Sequence, residues 1–207
     1  MMAANVLSEL HIPDRSAALA TMTLLLQSVL DNYVKRDIDA ALGDVIVTAS
    51  PPDRITTGGD ERSQINLFLY RVSPNVSLKS KTKSGHFETQ FAVELSYLIT
   101  AYGSVDLHAE VLLGRALWVL NQIRVESLIS EFTGILNSGN VKSEKPKAFL
   151  TSESLQATLT KATVIESLQD AIIKPQFIGF EEMSKLWSSL QCKYRPSFTF
   201  LVAPVQL

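Results

Sequence analysis

The sequence predicts an α+β domain in which flanking helices cover a mixed, largely antiparallel sheet. Two hydrophobic patterns predict it. Apolar residues recur at every second position from Phe91 to Ala101, which is typical of a long strand. In the ranges 14–41 and 106–124, apolar residues recur every three or four positions, which is typical of amphipathic helices. The 207 residues can bury a substantial core, so we expect one domain over 1–207.

The first helix is expected from Asp14 to about Ala41. Asp14 follows a proline and can cap the free amides of the first turn, and Gly43 ends the pattern. A short β-branched run, Val45 to Thr48, predicts a strand that two prolines then stop.

A long hairpin is expected next. The dense apolar run from Ile65 to Val72 predicts a strand buried on both faces, and a second strand is expected over 88–102. The tip between them carries Lys79, Lys81 and Lys83 without an acidic residue from 76 to 86. This tip is either a solvated loop or a docking surface for an acidic partner.

The second half continues with alternating elements. A helix over 106–124 is followed by a second helical piece over 125–136, and 137–160 is expected to be an inserted loop region. Further elements are expected as a strand near Ala171 to Lys174, a helix from Phe180 to Leu190, and a strand from Ser197 to Val202. Pro196 and Pro204 are expected to limit that last strand to a sheet edge or to its own ends. Trp118 and Trp187 lie beside leucines, so both are expected in the core.

The composition argues against several classes of function. A net charge of −2 gives no electrostatic case for nucleic-acid binding or a polybasic membrane anchor. The single Cys192 cannot form an intrachain disulfide, and we expect neither a signal peptide nor a membrane span. The histidines are isolated, and no phosphate loop or nucleophile elbow occurs. We therefore expect no metal, no cofactor and no enzymatic activity.

Several segments, taken in chain order, carry a family resemblance. The most specific is Asn66 to Asn75, Asn-Leu-Phe-Leu-Tyr-Arg-Val-Ser-Pro-Asn. The others are Ser96 to Gly103, Leu112-Leu113-Gly114, Leu186 to Leu190, Tyr194 to Ser197 and Ala203-Pro204-Val205. With the long N-terminal helix and Pro51-Pro52, this set resembles the tail-terminator (cap) proteins of extracellular contractile injection systems of the antifeeding-prophage type.

The resemblance implies a fold like that of phage tail terminators and a structural function. Such a subunit forms a ring, expected to be a hexamer, on the distal end of the inner tube and sheath, where it ends polymerisation and fixes length. The implied partners are the tube and sheath proteins of the same phage-tail-like particle, with synthesis in the bacterial cytoplasm. The residues expected to dock these partners are Lys79, Lys81, Lys83, Arg71, Tyr194 and Arg195. The hairpin and the C-terminal strand are expected to contact them, with strand addition at an edge as one route.

Three alternatives remain open from the sequence. The chain could be another connector or adaptor protein of such a particle. It could be a small enzyme whose site is assembled from Arg71, Asp106 and Glu110. It could also be a peptide-binding adaptor that acts as a monomer.

Overall fold

The fold is built on a five-stranded sheet. The computed structural model describes residues 15, 17–36, 42–59, 61–75, 91–130 and 162–207. The strands are β1 (Ile46–Thr48), β2 (Gln64–Pro74), β3 (Ala92–Tyr102), β4 (Ile172–Gln176) and β5 (Ser197–Gln206). They lie in the order β1-β2-β3-β5-β4, with only the β1–β2 pair parallel. The predicted α+β class and the mixed, largely antiparallel sheet are therefore confirmed.

Four helices accompany the sheet in the described residues. They are α1 (Ala18–Arg36), α2 (His108–Gln122), the short α3 (Ala162–Glu166) and α4 (Phe180–Ser189), with further helical turns at 125–130 and a 3-10 turn at Pro52–Arg54. The helices predicted over 106–124 and Phe180 to Leu190 match α2 and α4 within two residues, and α1 begins four residues after the predicted start. The predicted helical residues 37–41 and 131–136 lie outside the described residues. The proposed cap Asp14, the loop 76–90 and the region 137–160 lie outside the described residues. No described helix has the length and apolar character needed to cross a bilayer.

One face of the sheet holds the main core. Side chains of β3 such as Leu95, Tyr97 and Ile99 are fully buried there, together with Leu26 and Leu30 of α1. The Tyr97 ring stacks on Phe200 of β5 with centroids 5.2 Å apart. Its hydroxyl also lies 2.8 Å from the Thr23 hydroxyl of α1, which satisfies a polar atom inside the core.

Helix α4 packs against the opposite face of the sheet. Thr100 of β3 pairs with Ser197 of β5, so both side chains point away from the main core. The Trp187 indole of α4 is buried and lies 3.4 Å from the Ser197 hydroxyl. The core position predicted for Trp187 is confirmed. This second layer covers the face of the sheet opposite the main core. It explains why successive residues of β3, which point to opposite faces, are nearly all buried.

Three expectations need correction. β5 is an interior strand between β3 and β4, and it continues through Pro204 to Gln206. It tolerates the proline because the β3–β5 register shifts there, between Val205 and Val202. β2 is buried on both faces only from Gln64 to Leu67. Trp118 is 64% exposed on α2, so its predicted core position is wrong.

The turn from β3 into α2 is tightly packed at Gly103. A Cβ atom at this position would lie 2.6 Å from the Cβ of His108 and 2.7 Å from the backbone nitrogen of Ala109. Real Cβ atoms do not approach other heavy atoms so closely, and here one of them belongs to the backbone. Glycine is therefore required for α2 to begin immediately beside the end of β3.

Candidate functional site

A long stretch of β2 lies at an edge of the sheet. β1 pairs only with Gln64 to Asn66, so Leu67 to Pro74 have no second strand neighbour in the described part of the chain. Val72 in this stretch is 45% exposed. A strand with one unpaired side presents free backbone donors and acceptors to another chain. We refer to Leu67–Pro74 as the β2 edge.

The outer side of β1 is less open to strand pairing. The backbone nitrogen of Ile46 donates to Ser63 next to β2, so the backbone groups of Val47 point the other way. The buried Gln27 of α1 donates to the Val47 carbonyl at 2.9 Å. This bond occupies an outward acceptor of a strand that has only three residues. The β1 edge is therefore short and partly capped.

An ion pair ties the loop before β2 to the loop before β5. Arg195 Nη1 and Nη2 donate to Glu61 Oε1 and Oε2 at 2.8 and 2.7 Å, a bidentate arrangement. The guanidinium also lies 4.7 Å from the centroid of the Tyr102 ring. Only 25% of the Arg195 side chain and 11% of the Glu61 side chain are exposed. We call this pair the Glu61–Arg195 clamp.

The clamp lowers the pKa of Glu61. Partial burial alone would raise the pKa of this carboxyl group, because it disfavours the charged form. Hydrogen bonds from Arg195 and from the backbone amides of Gly58 and Gly103 favour the carboxylate, and their combined effect prevails. Glu61 is therefore ionised at neutral pH, and it joins three separate loops.

The residues predicted to dock partners fall in different places. Arg71 lies on the β2 edge with its side chain 46% exposed, 3.8 Å from Glu182 of α4. Tyr194 is 56% exposed and packs edge-on against Trp187. Arg195 is held by Glu61, so its contacts are inside the chain. The three lysines, at 79, 81 and 83, lie outside the described residues. A docking role for all six remains a prediction.

Exposed apolar side chains form a feature that the sequence reasoning missed. Phe177 and Phe180 are 94% and 82% exposed where β4 leads into α4, and Ile172 of β4 is 53% exposed. A groove of about 360 Å³, lined by Trp118, Ile173 and Phe198 among others, opens between α2 and the β4 end of the sheet. Phe177 lies between two predicted elements and Phe180 begins a predicted helix, so no pattern in the sequence marked their side chains as exposed. Exposed apolar surface of this kind marks interaction sites.

The residues of the enzyme alternative do not come together. Arg71 lies opposite Ser96 in the β2–β3 ladder, and Ser96 is six residues before the end of β3. Asp106 comes after that end of the strand. This separation corresponds to roughly 20 Å along the strand. Burial, the largest effect, raises the pKa of the Cys192 thiol, which disfavours the nucleophilic thiolate. Within the described residues, no three His, Cys, Asp or Glu side chains cluster as metal ligands.

Two solved structures share this fold. One is described as the sheath/tube terminator, in the extended state, of the extracellular contractile injection system PVC. It matches with a TM-score of 0.50 and 16% identity over 91% of this chain and 56% of its own. The other is the anti-feeding prophage cap, a tube-terminating cap, with a TM-score of 0.50 and 17% identity over 90% of this chain and 54% of its own. This chain thus spans just over half the length of each.

The sequence family agrees with the fold. No curated protein matches this sequence closely enough to count as a relative. Residues 21–131, just over half of the chain, match the family described as the Pvc16 N-terminal domain. This match includes most of α1 and all of β1, β2, β3 and α2, and with them the most specific segment of the resemblance. The resemblance to tail terminators of contractile injection systems is confirmed, and the chain belongs to the Pvc16 N-terminal domain family.

Proposed function

We propose that this chain is a structural terminator subunit of a contractile injection particle. In this role it forms a ring, expected to be hexameric, on the distal end of the inner tube and sheath, where it stops polymerisation and fixes length. The observation that carries the proposal is the family match over residues 21–131. The shared fold with a sheath/tube terminator and a tube-terminating cap supports it.

The surfaces of the chain suit assembly. The β2 edge offers unpaired backbone, and the connection that follows it carries Lys79, Lys81 and Lys83. An edge of this kind can receive a strand from the last tube or sheath layer, while nearby cations steer an acidic partner. A closed ring uses head-to-tail contacts between copies, so each copy needs two different surfaces. The β2 edge and the apolar groove lined by Trp118, Ile173 and Phe198 are our candidates for two such surfaces.

We propose that the chain acts through these contacts and not by catalysis. It would be made in the bacterial cytoplasm and then join the assembled particle. The tube and sheath proteins of the same particle would be its partners. No nucleic acid, membrane or cofactor is required for this role.

Imaging of particles with and without the protein tests the proposal. We expect particles from a strain that lacks the gene to have tubes of variable length, and we expect plasmid-borne protein to restore a narrow length distribution. A gold-labelled copy should then lie at the end opposite the baseplate. Uniform lengths without the protein would refute the terminator function. A label at the baseplate end would favour the connector alternative.

Deleting Ser77 to Gly85 tests the docking role of the lysine-bearing loop. The β2–β3 ladder extends to the pair Pro74 and Val93 before this loop, so we expect the fold to persist. Docking to tube and sheath should weaken. The matched control replaces Lys79, Lys81 and Lys83 with Gln and keeps the loop length. Unchanged co-purification and particle length in both variants would contradict a docking role for this loop.

A further inference from the structure

A second groove, with several polar side chains in its lining, lies at the β1 end of the sheet. Its volume is about 360 Å³, and its lining includes Ile46 and Thr48 of β1, Ser50, Arg54, Arg62 and Gln64. Two guanidinium groups line it, and none of the described residues in its lining carries a carboxylate. We call it the arginine groove. It is separate from every residue for which the sequence predicted a docking role.

One residue in the lining of the groove has a buried hydrogen-bond donor without an acceptor. Gln64 is 7% exposed, and its Nε2 atom is buried without a hydrogen-bond partner. Buried amide groups in proteins are almost always paired, because loss of contact with water is otherwise uncompensated. The adjacent polar groups are already engaged. Asn66 accepts from the Thr48 hydroxyl at 2.8 Å and donates to the Ser50 carbonyl at 2.9 Å.

The two arginines are available to an anion. Both Arg54 and Arg62 are exposed, and neither forms an ion pair with a carboxylate of the described residues. Arg195, by contrast, is fully used by Glu61. Guanidinium groups bind carboxylates with two parallel hydrogen bonds, and an amide N–H can add a third donor.

We propose that the arginine groove receives a Glu or Asp side chain from an extended acidic segment of a neighbouring protein. The assignment of that neighbour to the same particle rests on the proposed function. The carboxylate oxygens would accept from Arg54 and Arg62. The Nε2 atom of Gln64 is enclosed in the free chain, so the amide would turn toward the groove to gain its missing acceptor. Recognition by side chain suits this location, because Gln27 already occupies the outward carbonyl of β1.

Peptide binding to the full chain tests the inference. The probe is a fluorescein-labelled peptide of alternating Thr and Glu, and its control has Gln in place of Glu. We expect the acidic peptide to bind and the neutral one to bind much more weakly. Arg54→Gln/Arg62→Gln should lower the affinity about tenfold or more. The control Arg124→Gln/Lys174→Gln removes the same charge from exposed sites elsewhere and should have little effect.

Gln64→Met separates a built site from general charge attraction. This variant keeps the net charge, and we expect it to lower the affinity about threefold or more, because a donor to the carboxylate is lost. It should not lower the stability of the free chain, because Nε2 has no partner to lose. In the NMR spectrum, the side-chain amide signals that Gln64→Met removes should shift when the acidic peptide is added to the wild-type chain.

The outcomes are distinct from those for the terminator function. Equal affinity of the peptide for the wild type and the Arg54→Gln/Arg62→Gln variant would overturn the inference. The inference would also be overturned if the control Arg124→Gln/Lys174→Gln lowered the affinity as much as Arg54→Gln/Arg62→Gln does. Either result leaves the length phenotype of the gene deletion intact. Conversely, uniform particles without the protein would refute termination, even if the peptide binds as expected.

Discussion

The Glu61–Arg195 clamp gives the sharpest prediction for the stability of the fold. We consider Glu61→Gln, Arg195→Gln and the double variant. The two ionic hydrogen bonds, at 2.8 and 2.7 Å, would each contribute about 1.5–3 kcal/mol, but desolvation of both groups opposes this. We therefore expect a coupling energy of about 2 kcal/mol. Each single variant should cost about 3 kcal/mol, because it leaves a partly buried group without its partner.

Urea unfolding followed by circular dichroism measures these free energies. The matched control is the Glu181–Lys185 pair on α4, which has a short distance of 2.6 Å but side chains that are 82% and 75% exposed. Its coupling energy should be about 0.3–0.5 kcal/mol. The comparison isolates burial and bidentate geometry, because both pairs are short. A clamp coupling energy no larger than that of the control would refute the reasoning.

Three further predictions concern the same fold. Gly103→Ala should lower the free energy of unfolding by about 1–3 kcal/mol in urea titrations, because the new methyl group has no room beside His108. Unchanged stability would show that the turn can relax. The stability that the lowered pKa of Glu61 provides is present above the ordinary carboxyl value of 4.5 and is lost as pH falls through the folded pKa. A plot of unfolding free energy against pH should therefore be flatter in Glu61→Gln, and parallel curves would contradict the assignment. Tyr97→Phe should cost about 1 kcal/mol by thermal and urea unfolding, because Thr23 loses the hydroxyl partner but keeps the Leu19 carbonyl. Tyr194→Phe, at a position that is 56% exposed, is the comparison.

Local patterns in the sequence predicted the elements well. β3 was found from its period of two, and α1 and α2 from their helical spacing. The burial of β3 was less visible. Ser96 and Thr100 alternate with large apolar residues, which is typical of a strand with one solvent-exposed face. Both are nevertheless buried under the second layer. The position of α4 decides this, and no local pattern encodes it.

Long-range contacts explain the remaining differences. Glu61 and Arg195 are 134 residues apart, and each lies in a segment that reads as a polar loop. Their pairing depends on how β2, β3 and β5 assemble. The same is true of Pro204, which suggested an edge strand because a bulge in the β3–β5 register is not encoded in composition. Exposure of Trp118 follows from which side of α2 meets the sheet.

The partial coverage of β2 by β1 also constrains any strand that joins this sheet from outside. Thr48 and Ser50 already occupy the position beside Asn66, so an arriving strand can begin to pair only after that residue. Since a slip of one residue would turn every side chain to the wrong face, such a physical stop sets the alignment of the two chains. The shortest strand of the fold thereby acts as an alignment stop for incoming chains.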